Sequence, residues 1–233
     1  MSKVFLKYDY DINSKLDNFE KYVRRQALSR FLVRYELFKL IRNIKGSIIE
    51  CGVHHGGGIM AWAKLSSALE PYAIHRKVIG FDTFEGFPSI STKDYGLIEN
   101  RSLKEKGFCT DYDVFNELLE LIKEYDENRY INHFAKIELI KGDALKTIPE
   151  YVSNNKHLIV ALLFLDFDLY EPTKIALEYL LPRIPKGGII AFDELNNQYW
   201  PGETMALLDK FININKLEIK KFDFDPNISY IKL

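Results

Sequence analysis

Apolar residues recur along this chain in two rhythms, one helical and one strand-like, and the two alternate from end to end. Residues 14 to 43 mix charged and aliphatic positions. Phe31, Leu32, Tyr35, Leu37, Phe38 and Ile41 fall on one face at helical spacing, which predicts a helix. Lys45-Gly46 stops it, and Ser47 to Val53 is a short β-rich run that includes Gly52. His54-His-Gly-Gly-Gly58 follows, then a helical pattern from Ile59 to Leu69. The unit reads as strand, glycine turn and helix. Lys77 to Phe81 is a second strand that leads into Asp82. Asp113 to Glu124 is helical, Lys136 to Ile140 is a third strand leading to Gly142-Asp143, and Ala144 to Val152 is a short helix. Leu158 to Leu165 and Gly188 to Phe192 are the fourth and fifth strands, and a helix is expected near Glu203 to Phe211. Leu217 to Phe224 and Ile228 to Leu233 read as a hairpin turning at Asp225-Pro-Asn227.

Strands that alternate with helices imply an α/β fold: a doubly wound, seven-stranded, mostly parallel sheet with an antiparallel C-terminal hairpin and an N-terminal helical extension. The expected organisation is an extension over 1–45, acting as a cap or dimer contact, and a catalytic domain over 46–233. An insertion over 89–135 begins with the polar, weakly patterned stretch Ser89 to Thr110, read as a mobile lid.

Composition narrows the partner. A chain of 233 residues with 47% hydrophobic content suits one soluble globular domain. Its 32 basic and 33 acidic residues leave a net charge of -1, no electrostatic footprint for nucleic acid or an anionic membrane, so a small molecule is expected. Cys51 and Cys109 are too few for a disulfide framework, which points to a cytoplasmic setting. No stretch approaches the roughly 20 apolar residues of a membrane span, and the N-terminus has no apolar signal core.

The candidate chemistry gathers at strand ends. In a parallel sheet the carboxyl ends line one crevice, so Leu162-Leu-Phe-Leu-Asp166-Phe-Asp168 and Ile189-Ile-Ala-Phe-Asp193-Glu194 deliver several carboxylates to one cleft, the outline of a hard-cation site. Gly52, Gly56, Gly57 and Gly58 form a turn that lets a ligand approach the backbone and exposes a helix N-terminus. Asp82 is placed to accept from a ribose diol, and Asp143 from an exocyclic adenine amine.

Five segments together resemble class I S-adenosylmethionine-dependent methyltransferases, and more narrowly the macrocin O-methyltransferase (TylF-type) family of metal-dependent sugar methyltransferases. They are Ile49-Glu50-Cys-Gly52-Val-His-His-Gly56-Gly57, Gly80-Phe-Asp82-Thr-Phe-Glu-Gly86-Phe-Pro88, Lys141-Gly-Asp143, Leu165-Asp166-Phe-Asp168-Leu-Tyr170-Glu171, and Gly187-Gly188 through Asp193-Glu194. The resemblance implies that Glu50 and Gly52 contact the methionine part of S-adenosylmethionine, Asp82 the ribose hydroxyls and Asp143 the adenine, with Gly56, Thr83, Ala144 and Asp166 as further cofactor-binding residues. It further implies Mg²⁺ on Asp166, Asp193 and Glu194, although family members usually carry Asp-Asp where this chain has Asp193-Glu194. The segment Leu195 to Glu203 also departs from the family pattern. The implied activity is O-methylation of a sugar hydroxyl in a nucleotide sugar, polysaccharide precursor or glycosylated metabolite. Asp166 would be the catalytic residue that receives or relays the proton, with Asp168 as an alternative behind it.

Rival readings use the same residues. Strand-end acids also cap helices or pair with Lys174 and Arg183. His54 and His55 suit loop packing better than metal binding, and His133 a solvated surface. Trp200, Tyr199 and Phe87 could line a sugar site or the core. Tyr170-x-x-x-Lys174 with the glycine turn mimics a short-chain NAD(P)-dependent oxidoreductase, but Pro172 predicts that Tyr170 precedes its helix. A catalytically silent nucleoside-binding subunit is the third reading. The apolar face of the N-terminal helix is the expected contact of a homodimer or higher homo-oligomer.

Overall fold

The computed structural model describes residues 3–233, so the first two positions of the expected extension lie outside the described residues. Two short helices open the chain, α1 (Lys3–Lys7) and α2 (Ile12–Leu16), and after a single 3₁₀ turn comes the 17-residue α3 (Arg25–Ile41). The expected helix over 14–43 is therefore broken. Asp11 caps α2 through Ser14, and the Asn18 side chain donates to the Ser14 carbonyl, so polar side chains compete for the backbone and end the helix early.

The rest follows in the order β1 (Ser47–Cys51), α4 (Gly57–Leu69), β2 (Val78–Asp82), α5 (Val114–Glu127), β3 (Ile137–Lys141), α6 (Ala144–Asn154), β4 (Val160–Leu165), α7 (Tyr170–Tyr179), β5 (Ile189–Phe192), α8 (Gly202–Lys210), β6 (Ile219–Phe222) and β7 (Asp225–Lys232). One seven-stranded sheet results, in the order β3-β2-β1-β4-β5-β7-β6. The first five strands are parallel, and β7 runs antiparallel to both β5 and β6.

Successive strand residues point to opposite faces, and here both faces are covered, so the strands read as unbroken apolar runs. Ile48, Leu162, Phe164, Ile189 and Ala191 pack with Val33, Leu37, Phe38 and Ile41 of α3 and with Trp62 of α4. Ile49, Leu163, Leu165, Ile190 and Phe192 pack on the other face with Ile148, Ala176, Leu177 and Ala206. The apolar face of α3 is thus spent mainly inside its own domain; Phe31 and Leu32 remain exposed.

The C-terminal hairpin reverses at Asp223-Phe224, not at Asp225-Pro-Asn227. The Asp225 carboxylate accepts from the Asn227 and Ile228 amides, so the expected turn chemistry forms a local kink within β7, where the register shifts. Among the described residues no helix is long and apolar enough to cross a membrane.

Candidate active site

Every parallel strand hands its next or last residue directly to one crevice. Gly52 follows β1, Asp82 ends β2, Asp166 follows β4 and Asp193 follows β5, while Gly142-Asp143 follows β3. These residues line one cavity of about 300 Å³, with Thr83, Ala144, Asp168 and Glu194.

At the β1–β2 end, Asp82 organises the glycine turn. Its carboxylate accepts from the Val53 amide at 2.7 Å, the His54 amide at 2.8 Å and the Phe84 amide at 2.7 Å. Gly52 has φ +93°, and a Cβ there would lie 1.9 Å from the Asp166 carbonyl oxygen, so only glycine lets the turn pass so close to β4. Asp143 caps α6 by accepting from the Leu145 amide at 3.0 Å. Glycine backbone, Asp82, Asp143 and the N-terminus of α6 form a cradle with acceptors at two separated points, which fits a nucleoside.

Two of the expected cofactor residues lie elsewhere. Glu50 is buried beneath the glycine turn, 3.6 Å from Arg34, and does not line the cavity. Burial is the main cause that pushes its carboxyl up to about 7, and Arg34 only partly offsets it. Gly56, the left-handed residue before α4, abuts the Leu118 side chain and makes a packing contact.

At the β4–β5 end, carboxylates crowd together. Burial pushes Asp166 and Asp168 well above the usual carboxylate range, and neighbouring acids push them further: Asp193 and Asp168 act on Asp166, Glu194 and Asp193 on Asp168. Glu194 is raised by the same causes. Among the described residues one cation answers them. Arg30, on α3, forms a two-pronged ion pair with Asp193, its Nη2 donating to Oδ2 at 2.8 Å. Burial opposes the Arg30 charge, but the pair outweighs it and raises the guanidinium above its ordinary value.

The anticipated metal trio is brought to one wall but not into a coordination group. Asp193 is taken by Arg30 and Glu194 accepts from the Asn197 side chain. Among the described residues no group of three or more His, Cys, Asp or Glu side chains is arranged to hold a metal. The oxygen-only donor set suits Mg²⁺ in kind; the pairing of Asp193 does not fit it.

Sequence reasoning missed two residues here. Arg30 is 163 positions from its partner. Glu203 reads as an ordinary first-turn acid of α8, yet it is fully buried and accepts from the backbone amides of Asp168 at 3.3 Å and Glu194 at 3.1 Å. It ties both acid-bearing loops to one helix. Asp168 has φ +61°, a left-handed conformation that Asp adopts more readily than most residues. Gly202 fits against it: a Cβ there would meet the Asp168 carbonyl oxygen at 2.6 Å.

The roof is aromatic. Phe87, which precedes the insertion, Phe108 within it and Trp200 meet one another with ring centroids 5.4 to 5.9 Å apart, and all three line the cavity. His54 lines it too, its pKa lowered by burial and then by His55. Within the stretch read as a mobile lid, the Asp94 carboxylate accepts from the Tyr170 amide at 2.6 Å, and Lys93 pairs with Asp209. Tyr170 is the first residue of α7, not a residue before it, and Lys174 Nζ lies 5.5 Å from its ring centroid. Its hydroxyl is 2.7 Å from the Asp209 carboxylate, and neither Tyr170 nor Lys174 lines the cavity, which removes the basis of the oxidoreductase reading.

Comparison with known proteins decides between the readings that remain. Residues 37–232 match the family described as macrocin-O-methyltransferase (TylF). The chain belongs to that family. Its fold is that of class I methyltransferases. Calicheamicin methyltransferase CalS11 superposes with a TM-score of 0.92 at 29% identity, over 99% of this chain and 88% of that one. The apo structure of the same protein, named TDP-rhamnose 3'-O-methyltransferase, gives 0.83 at 28% identity, over 99% and 90%. The 8-demethyl-8-(2,3-dimethoxy-alpha-L-rhamnosyl)-tetracenomycin-C 4'-O-methyltransferase of Streptomyces olivaceus is 28% identical over 155 residues, 66% of this chain. That alignment spans 55% of the relative's own length.

Proposed function

We propose that this TylF-family chain transfers a methyl group from S-adenosylmethionine to a hydroxyl of a rhamnose-type sugar. The observation that carries the reading is the single cavity in which Asp82 and Asp143 stand at one end and the raised carboxylates Asp166 and Asp168 at the other. The names of CalS11 and of the Streptomyces relative, both acting on rhamnose derivatives, support the acceptor class.

S-adenosylmethionine, when bound, supplies an electrophilic sulfonium methyl. Asp82 and Thr83 would hold its ribose, Asp143 and Ala144 its adenine, and the Gly52 backbone the methionine end. Phe87, Phe108 and Trp200 would cover the acceptor ring and keep water from the reacting pair.

A sugar hydroxyl is a weak nucleophile and must lose its proton as the new bond forms. Burial beside like charges raises the proton affinity of Asp166 above that of an ordinary aspartate, which suits it to accept that proton. Arg30 and Asp193 hold a fixed charge pair beside it, and Glu203 fixes the loop that carries Asp168. The Mg²⁺ implied by the family resemblance enters none of these steps, because Asp193 is already paired.

Methyl-labelled S-adenosylmethionine, incubated with the protein and either dTDP-rhamnose or a rhamnosyl glycoside, tests the reading. Labelled sugar product is expected from at least one acceptor. Tight S-adenosylmethionine binding with no product from either would contradict it.

A further inference from the structure

A second concavity, about 450 Å³, opens beside the first and shares Asp193 and Glu194 with it. Its other walls are the loop after β5, with Asn196, Asn197, Gln198 and Tyr199, and Asn227 of β7. The loop is held in place before any ligand arrives. The Asn196 amide donates to Thr204 Oγ1 at 2.9 Å, Asn197 bridges Glu194 and the Tyr199 amide, and Asn100 donates to the Tyr199 carbonyl at 3.2 Å.

Preorganisation of the backbone leaves the side chains of Asn196, Gln198 and Asn227 exposed, with no hydrogen-bond partner among the described residues. Carboxamides both donate and accept in one plane, the chemistry that reads hydroxyl groups on a ring. Tyr199, half exposed, adds an aromatic face.

Charge argues against a nucleotide there. Among the described residues no Lys, Arg or His lines this groove. At the junction with the main cavity stand the Asp193 and Glu194 carboxylates, and Arg30 is committed to Asp193. A pyrophosphate seated there would meet those carboxylates and, among the described residues, no unpaired cation.

Resting on the methyl-transfer reading above, we propose that this groove seats a second, uncharged saccharide unit. The acceptor rhamnose would then arrive already joined to a neighbouring sugar, not to a nucleoside diphosphate.

Three acceptors separate the possibilities: methyl α-L-rhamnoside, a rhamnosyl-disaccharide methyl glycoside, and dTDP-rhamnose. The disaccharide is expected to have a KM at least about tenfold below that of the other two, an effect on substrate capture. Combining Gln198→Ala with Asn227→Ala should collapse the ratio of disaccharide to monosaccharide KM towards one, with little change in kcat on the disaccharide. Preference for dTDP-rhamnose, or an unchanged ratio in the double variant, would overturn the proposal. If none of the three is methylated, the methyl-transfer reading fails first. Saturation-transfer NMR of the disaccharide with S-adenosylhomocysteine present then tests the groove alone: a signal lost in the double variant supports it, and a signal that is absent or unaltered overturns it.

Discussion

Arg30 of α3 grips Asp193, the residue after β5, with both terminal guanidinium nitrogens, and this pair joins the N-terminal helix to the acid-lined wall of the cavity. Asp193 is 2% exposed. Loss of the guanidinium leaves a buried carboxylate among other carboxylates, a change that costs about 3–5 kcal/mol where both partners are fully buried. The Arg30 side chain is 32% exposed, so Arg30→Gln should cost on the order of 2 kcal/mol. Combining it with Asp193→Asn should recover much of that loss, as chemical denaturation of the four proteins of the cycle would read. The bared cluster should also take up a cation, so MgCl₂ should raise the Tm of Arg30→Gln more than that of the parent.

Glu50 makes stability depend on pH in a stated direction. Its carboxyl is raised in the folded chain from an ordinary 4.5 to about 7, so the folded state holds a proton that the unfolded chain has released across that interval. Its contribution is therefore complete below the unfolded value and is lost as pH rises through the folded one. The size is on the order of 3 kcal/mol at about 1.4 kcal/mol per pH unit. Glu50→Gln should flatten the fall in unfolding free energy between pH 4.5 and 7 relative to the parent. Urea titrations at several pH values would check this, and equal slopes in the two proteins would refute it.

Glu203 offers one buried carboxylate to two backbone amides, those of Asp168 and Glu194. Glu203→Ala strands both donors, at about 1–3 kcal/mol each if no water replaces the acceptor. The loops that carry the acids should drift while the Asp82 end stays in place. The expected outcome is a kcat reduced by at least about tenfold, with S-adenosylhomocysteine affinity changed less than about threefold. Calorimetric titration beside steady-state kinetics would separate this from general unfolding.

Much of this was legible from residue order, for physical reasons. The strands could be read because both sheet faces are buried, which makes Ile48-Ile49, Leu162 to Leu165 and Ile189-Ile190 continuous apolar runs. The crevice could be read because parallel strands deliver their following residues to one edge, and Gly52, Asp82, Asp143, Asp166 and Asp193 do line one cavity. What was not legible depends on distance or on rotamer. Nothing local marks Arg30 as the partner of Asp193, and the metal expectation at Asp166, Asp193 and Glu194 met that pairing. Alternation could place Glu50 on a strand but could not say that its side chain would turn to Arg34. Asp225-Pro-Asn227 carries true turn chemistry, yet the Asp225 carboxylate uses it within β7, and the chain reverses two residues earlier.

Asp166→Asn bears most directly on the central claim, because it keeps the size of the side chain and removes the base. The measurement is methyl transfer from labelled S-adenosylmethionine to the best acceptor, read beside S-adenosylmethionine affinity, for the parent and this variant. The expected result is a kcat lowered at least about a hundredfold with affinity changed less than about threefold. Turnover equal to that of the parent, or a parent chain that binds no S-adenosylmethionine, would contradict it.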